Sequence, residues 1–236
     1  NHTRHPCPES LWTAVGGDRM WTAGEDDFCC VRVGLGPATM PLREPDIDDT
    51  QEQDPVTVAA MRTLVRRRGV LDGQPVTVSL IEHPLLAVHG DRRRARRLVR
   101  AMVCQLAVAH APGTLAVTAV TDAPDEWDWL KWLPHHGCTA PHTVVIVDGG
   151  RVPAPRPGTS VVVIGAHPAP AHLDADTRLD ALTRAQAEAC ARRLAAHRAT
   201  AVGTASGHSW WDLTGIPGPE RLDADTLWAE IGRAHV

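Results

Sequence analysis

Leu86-Ala-Val-His-Gly-Asp-Arg-Arg-Arg-Ala-Arg-Arg97 joins a short apolar run to a Gly turn and then to a basic stretch of helical composition. Strand, Gly turn, helix is the frame of a phosphate-binding loop. A working loop reads G-x-x-x-x-G-K-[ST]: glycines let backbone N–H groups reach the phosphates, and the Lys meets the β/γ oxygens. Here Gly90 is followed by Asp91, and by helix register the second Gly, the Lys and the Ser/Thr fall near Arg94, Ala95 and Arg96. Losing the Lys removes a point charge from the β/γ-phosphates, and losing the hydroxyl removes a magnesium ligand. Arg94 and Arg96 are of a type that forks onto phosphate, yet their length fills the space that glycines keep open. The stretch reads as a nucleotide-site frame stripped of its chemistry. ATP with magnesium is its ligand only if one of these arginines stands in for the Lys.

A second stretch, Thr143-Val-Val-Ile-Val-Asp-Gly-Gly150, is an apolar strand ending in an acid. In an active ATPase such an acid holds a magnesium-bound water, and the next residue, also acidic, polarises the attacking water. Gly149 takes that next place, so the general base is missing. Asp148 alone equally suits capping a turn.

Arg92, Arg93, Arg94, Arg96, Arg97 and Arg100, with Arg66–Arg68, form a basic cluster. A solvated helix face, a phosphate or nucleic-acid contact, a docking surface for an acidic partner through Arg92, Arg93 and Arg97, and an internal clamp are all open to it. The acidic runs at 44–54 and 122–128 offer partners within the molecule. His135, His136, Cys138 and His142 are metal-ligand types, but zinc sites need two separated pairs and this loop has no second one; no metal is expected. Asp125-Glu-Trp-Asp-Trp-Leu-Lys-Trp-Leu-Pro134 packs three Trp into six residues. Tyr is absent and Phe28 is the one Phe, so an anchor packing Trp against a sheet is expected there rather than a base-stacking platform.

The elements that must position these residues follow from pattern. Phe28–Gly36 reads as a strand ending in a Gly-rich turn, 75–80 alternates as a strand, and 85–89 is a third. A helix opens at Asp54 and carries Val58, Met61, Leu64 and Val65. A long helix over 92–110 buries Ala95, Leu98, Val99, Met102, Val103 and Leu106. Strands at 115–121, 143–148 and 160–165 are continuously apolar, as in a parallel sheet covered on both faces. Helices follow at 183–197 and 224–231. The fold class is α/β: a RecA/FtsK-like, mostly parallel sheet flanked by helices, a degenerate P-loop ATPase fold. Residues 1–36 are assigned to an N-terminal extension and strand, 37–236 to the ATPase-like domain with a C-terminal linker helix.

Composition narrows the partners. A net charge of −4 disfavours nucleic acid. The six Cys have no CxxC pair, which favours buried or incidental thiols over disulfides. No apolar run reaches the ~18–20 residues that span a bilayer. The sequence starts without Met and is read as a piece of a longer protein.

Six stretches together resemble EccC, the membrane-anchored FtsK/SpoIIIE-type ATPase family of type VII (ESX) secretion systems. They are Met20-Trp21 with Asp27–Gly36 (RVGLG at its end), Asp54-Pro-Val56, Val99–Ala107 with His110-Ala-Pro112, Trp127–His135 (WDWLKWLPH), Pro141-His142 with Val147–Gly150, and Leu222-Asp with Leu227-Trp228. Between His135 and Pro141 this chain has five residues where relatives carry a much longer insert. The resemblance implies the degenerate ATPase-like domain that lies between the transmembrane helices and the first active ATPase domain. It implies a parent that exports WxG-type substrates with ATP, inside a hexameric membrane complex in actinobacteria. The implied neighbours are the transmembrane stalk, the adjacent FtsK/SpoIIIE ATPase domain and other core-complex subunits, at the cytoplasmic face of the plasma membrane. For this domain the implied role is non-catalytic coupling, with no bound cofactor; the alternative is a nucleotide-binding or hydrolysing regulatory module of the same motor.

Overall fold

In a computed structural model, residues 6–39, 70–154, 156–175 and 179–206 are described. Within them, β1 (Cys30–Thr39) and β2 (Val70–Ser79) pair as an antiparallel ribbon. Five more strands form a parallel sheet: β3 (Leu85–His89), β4 (Leu115–Thr121), β5 (His142–Asp148), β6 (Thr159–Ile164) and β7 (Ala171–Asp174). Their order is β4-β5-β6-β3-β7. The strand that leads into Gly90 is therefore separated by one strand, β6, from the strand that ends in Asp148.

The Val-rich runs form central strands because both sheet faces are buried. Val144 and Ile146 of β5 feed one apolar cluster, Val145 and Val147 a second with Val161 and Val163. The larger cluster is closed by α2 (Arg92–Ala109), which buries Ala95, Leu98, Val99, Met102, Val103 and Leu106, after a first single-turn helix α1 (Leu11–Ala14). Next come α3 (Pro124–Trp127), with a 3-10 turn over Asp128–Trp132, and α4 (Arg184–Ser206). Trp127 and Trp129 enter the same cluster, whereas Trp132 stays 41% exposed. The expected Trp anchor thus uses two of its three rings.

The amino-terminal segment closes the far end of α2. The N–H groups of Trp21 and Ala23 donate to the carbonyls of Val108 and Ala109, and Trp21 Nε1 donates to Ala107 O. These are the carbonyls that a helix end leaves unsatisfied. The outer edge of β4 is covered as well: Val117 N–H donates to His135 O, and His136 Nδ1 lies 3.1 Å from Val117 O. An edge strand closed in this way does not recruit another.

Four elements depart from expectation. β2 starts at Val70 rather than at 75. β1 does not turn at Gly36 but runs to Thr39, with irregular pairing between Arg32 and Gly34 and between Gly36 and Ala38. A Cβ on Gly36 would sit 2.8 Å from Val76 Cγ2, so this glycine serves close strand approach. β7 is a strand that composition conceals, four residues of alternating burial containing His172 and Asp174. α4 runs on to Ser206 instead of ending at 197, through a stretch rich in Ala. The helices expected at 54 onward and 224–231 lie outside the described residues.

Candidate functional site: the carboxyl end of the parallel sheet

The two chemical stretches converge where β3 and β5 end, the edge at which open α/β sheets carry their sites. The turn from β3 to α2 is only Gly90 and Asp91, with Gly90 at φ +95°. This left-handed geometry is open to glycine at no steric cost. Asp91 is the cap of α2: its side chain accepts from the N–H of Arg94 at 2.9 Å. A helix N-terminus of this kind is where a phosphate would be received; here a carboxylate of the chain itself takes up that donor. Ala95, at the register of the Lys, is fully buried in the core beneath the helix.

Asp148 is the centre of the arrangement. It is fully buried, with both carboxylate oxygens engaged. Arg92 Nε donates to Oδ1 at 2.9 Å, while Arg96 Nε and Trp127 Nε1 donate to Oδ2 at 2.7 and 2.8 Å. Burial alone would push the Asp148 carboxyl up, but the hydrogen bonds from Arg96, Trp127 and Arg92 outweigh it and hold the group below its ordinary range. Arg92 is raised in turn by its bonds to Asp148 and Asp122. Two guanidinium groups therefore neutralise Asp148 from within the chain.

The second acid is also replaced in space. Gly149 lies at φ +94°, and a Cβ built on it would meet the Asp122 carboxyl group at 2.2–2.4 Å. Asp122, at the end of the neighbouring β4, thus fills the volume where a side chain at 149 would begin. Its Oδ1 accepts from Arg92 Nη2 at 2.7 Å. Further along α2, Glu126 accepts from Arg96 Nη1 and Arg100 Nη2, and the Arg100 guanidinium lies 5.6 Å from the centre of the Trp127 ring.

Helical spacing sorts the arginine run. Arg92, Arg96 and Arg100, four apart, face the acids at 122, 126 and 148 and form an internal clamp. Arg93 and Arg97 lie on a different, exposed face, and neither enters an ion pair among the described residues. Arg94 is exposed, with its N–H on Asp91. Of the three residues considered for docking, Arg93 and Arg97 present themselves outward, while Arg92 is turned toward Asp148 and Asp122. Sequence reasoning missed Trp127 as part of this site; the acidic run at 122–128, offered as a partner of the arginines, supplies Asp122 and Glu126. The acidic run at 44–54 lies outside the described residues.

The His/Cys group disperses into structural bonds. His135 Nε2 lies 2.7 Å from His110 O, His142 Nε2 3.0 Å from Ser160 Oγ, and Cys138 Sγ 3.0 Å from Pro112 O. Burial pushes His135 down to about 4 and lowers His110 and His142.

No family model matches the chain. Individual relatives do. ESX-4 secretion system protein EccC4 of Mycobacterium tuberculosis is 34% identical to it, over 97% of the chain and 22% of the relative. The chain belongs to the EccC family. ESX-1 secretion system protein EccCa1 of the same organism is 29% identical over 89% of the chain and 36% of its own length. ESX-5 secretion system protein EccC5 is 39% identical over 58% of the chain and 10% of its length. The chain thus spans 22% of EccC4 and 36% of EccCa1. The match with EccC4 runs over 277 positions, more than the 236 residues of the chain, so EccC4 carries stretches that this EccC segment lacks. Among solved structures, the cytoplasmic domain of the Thermomonospora curvata type VII secretion ATPase EccC covers 68% of the chain at TM-score 0.42 and 12% identity. That likeness is too loose to transfer any residue position.

Proposed function

We propose that this EccC segment is a non-catalytic, ATPase-like domain that couples the membrane-anchored stalk of a type VII secretion motor to its active ATPase domains during export of WxG-type substrates. The observation that carries the reading is the state of Asp148: buried, and bonded on both oxygens by Arg92, Arg96 and Trp127. A fully buried carboxylate already paired to two guanidinium groups and an indole N–H is poorly placed to hold a magnesium-bound water or to orient a nucleophile. Asp91 on the first turn of α2, buried Ala95 and the blocked volume at Gly149 remove the remaining parts of phosphoryl-transfer chemistry. The domain therefore holds neither ATP nor magnesium and works by contact.

Among the described residues, no helix is long and apolar enough to cross a membrane. In this reading the domain hangs at the cytoplasmic face of the plasma membrane from a stalk elsewhere in the parent chain. It docks through the outward Arg93 and Arg97 within a hexameric assembly. Its neighbours are the stalk, the adjacent FtsK/SpoIIIE domain and other core-complex subunits, with no nucleic acid involved.

The test is charge reversal in the full-length parent. Arg93→Glu with Arg97→Glu is expected to impair secretion or complex assembly while basal ATP turnover stays at the wild-type rate. Turnover that collapses with assembly intact would refute a coupling role for this face.

A further inference from the structure

All six cysteines are free thiols, and two of them meet in the core. α2 packs against α4, with buried Ala101 and Cys104 on one helix and buried Ala187, Cys190 and Ala191 on the other. Small side chains let two helices approach closely. Cys104 Sγ lies 4.0 Å from Ala187 O, one turn of α4 before Cys190, and the Cys104 and Cys190 thiols hydrogen-bond each other. Cys104 donates that bond and rises above the ordinary thiol range; accepting it draws Cys190 down, helped by the positive charge of Arg193. Cys190 is therefore the nucleophilic member of the pair, and neither sulfur belongs to the clamp around Asp148. Cys29 and Cys30 are neighbours in sequence, but burial pushes Cys29 up to about 12 and raises Cys30 as well, which keeps both as thiols.

We infer that Cys104 and Cys190 form a redox site, a buried dithiol that a hydroperoxide converts into a disulfide stapling α2 to α4. In the first step the Cys190 sulfur attacks one oxygen of the hydroperoxide and the O–O bond breaks. The leaving oxygen takes the Cys190 proton and departs as water or an alcohol, and Cys190 becomes a sulfenic acid. The Cys104 sulfur then attacks the Cys190 sulfur. The S–S bond forms, the S–O bond breaks, and the hydroxyl leaves as water with the Cys104 proton. The two thiols give up two electrons in all, and the hydroperoxide takes them. A dithiol reductant restores the pair by exchange. Both sulfurs are buried, so oxidation waits on local opening of the contact between the helices. The staple closes a loop that holds β4, β5, β6 and β7, and closing a long loop restricts the unfolded chain most. The site is independent of the docking role proposed for Arg93 and Arg97, which lie on the exposed face of α2.

The test is to treat the purified chain with hydrogen peroxide, block the remaining thiols after unfolding, and map its peptides without reductant. The expected result is a cross-linked pair of peptides carrying Cys104 and Cys190. The Tm of the oxidised chain is expected to lie about 5 °C above that of the reduced chain and to return on adding a dithiol reductant. Cys190→Ser is expected to yield no such pair and no reversible rise in Tm. Cys104→Ser is expected to stop at the sulfenic acid of Cys190, which a cyclic diketone probe captures. Recovery of Cys104 and Cys190 as free thiols after oxidation, or of each joined to a different cysteine, would overturn the inference. A link between these two that leaves Tm unchanged would also overturn it.

Discussion

Asp148 sits where an active enzyme would keep a carboxylate available to water and metal, and here it has become the hub of a structural ion network. Removing its charge leaves Arg92 and Arg96 facing one another with only the more exposed Asp122 and Glu126 to offset them. Asp148→Asn is expected to cost about 3 kcal/mol, at the low end for breaking a buried pair because Arg92 is 48% exposed; urea unfolding measures it. Attempts to restore the missing catalytic residues meet the same geometry. Ala95→Lys places an ammonium in a fully buried position, and its expected loss of more than about 4 kcal/mol marks a core defect, not a recovered site. Gly149→Glu must adopt φ +94° and collide with the Asp122 carboxyl group. It is expected to lose about 2 kcal/mol or more, with no ATP turnover gained in a phosphate-release assay.

At the scale of elements, α2 divides its arginines between two tasks by its 3.6-residue period, a division that a run of consecutive arginines conceals in the sequence. The central strands were legible because a sheet buried on both faces demands continuous apolar runs, as in Val144–Val147 and Val161–Ile164. The amphipathic stripe of α2 was legible for a similar reason. β7 was not, since Ala-His-Leu-Asp carries no apolar run, and its burial alternates only once it lies beside β3. The clamp was half legible: the sequence offers acids at 122–128 as partners, but the contact of Trp127 with Asp148, 21 residues apart, needs β4 and β5 paired in register to bring it about. His135, in the segment that covers the β4 edge, adds a pH dependence. Folding lowers it from 6.5 to about 4, so the unfolded chain binds the extra proton in that window. Stability is therefore fully present above pH 6.5 and falls as pH drops toward 4. Thermal unfolding between these limits is expected to show a falling Tm, with a shallower slope in His135→Gln; a flat profile would remove His135 from the account.

For the whole molecule, the fold keeps the sheet order and the turn of a nucleotide-binding frame while its own side chains occupy the working positions. Asp91 caps the first turn of α2, guanidinium groups pair with Asp148, and Asp122 fills the volume beside Gly149. In the proposed reading, such a domain keeps the charged exterior that docking requires and gives up the open cradle that nucleotide binding requires. In the proposed coupling role, the outer face of α2 with Arg93 and Arg97 makes the contact. Isothermal titration of the purified chain with ATP and magnesium at high protein concentration tests this most directly. The account predicts no binding heat up to millimolar nucleotide. Saturable heat that disappears in Asp148→Ala would show that the clamp opens to admit nucleotide, and would contradict it.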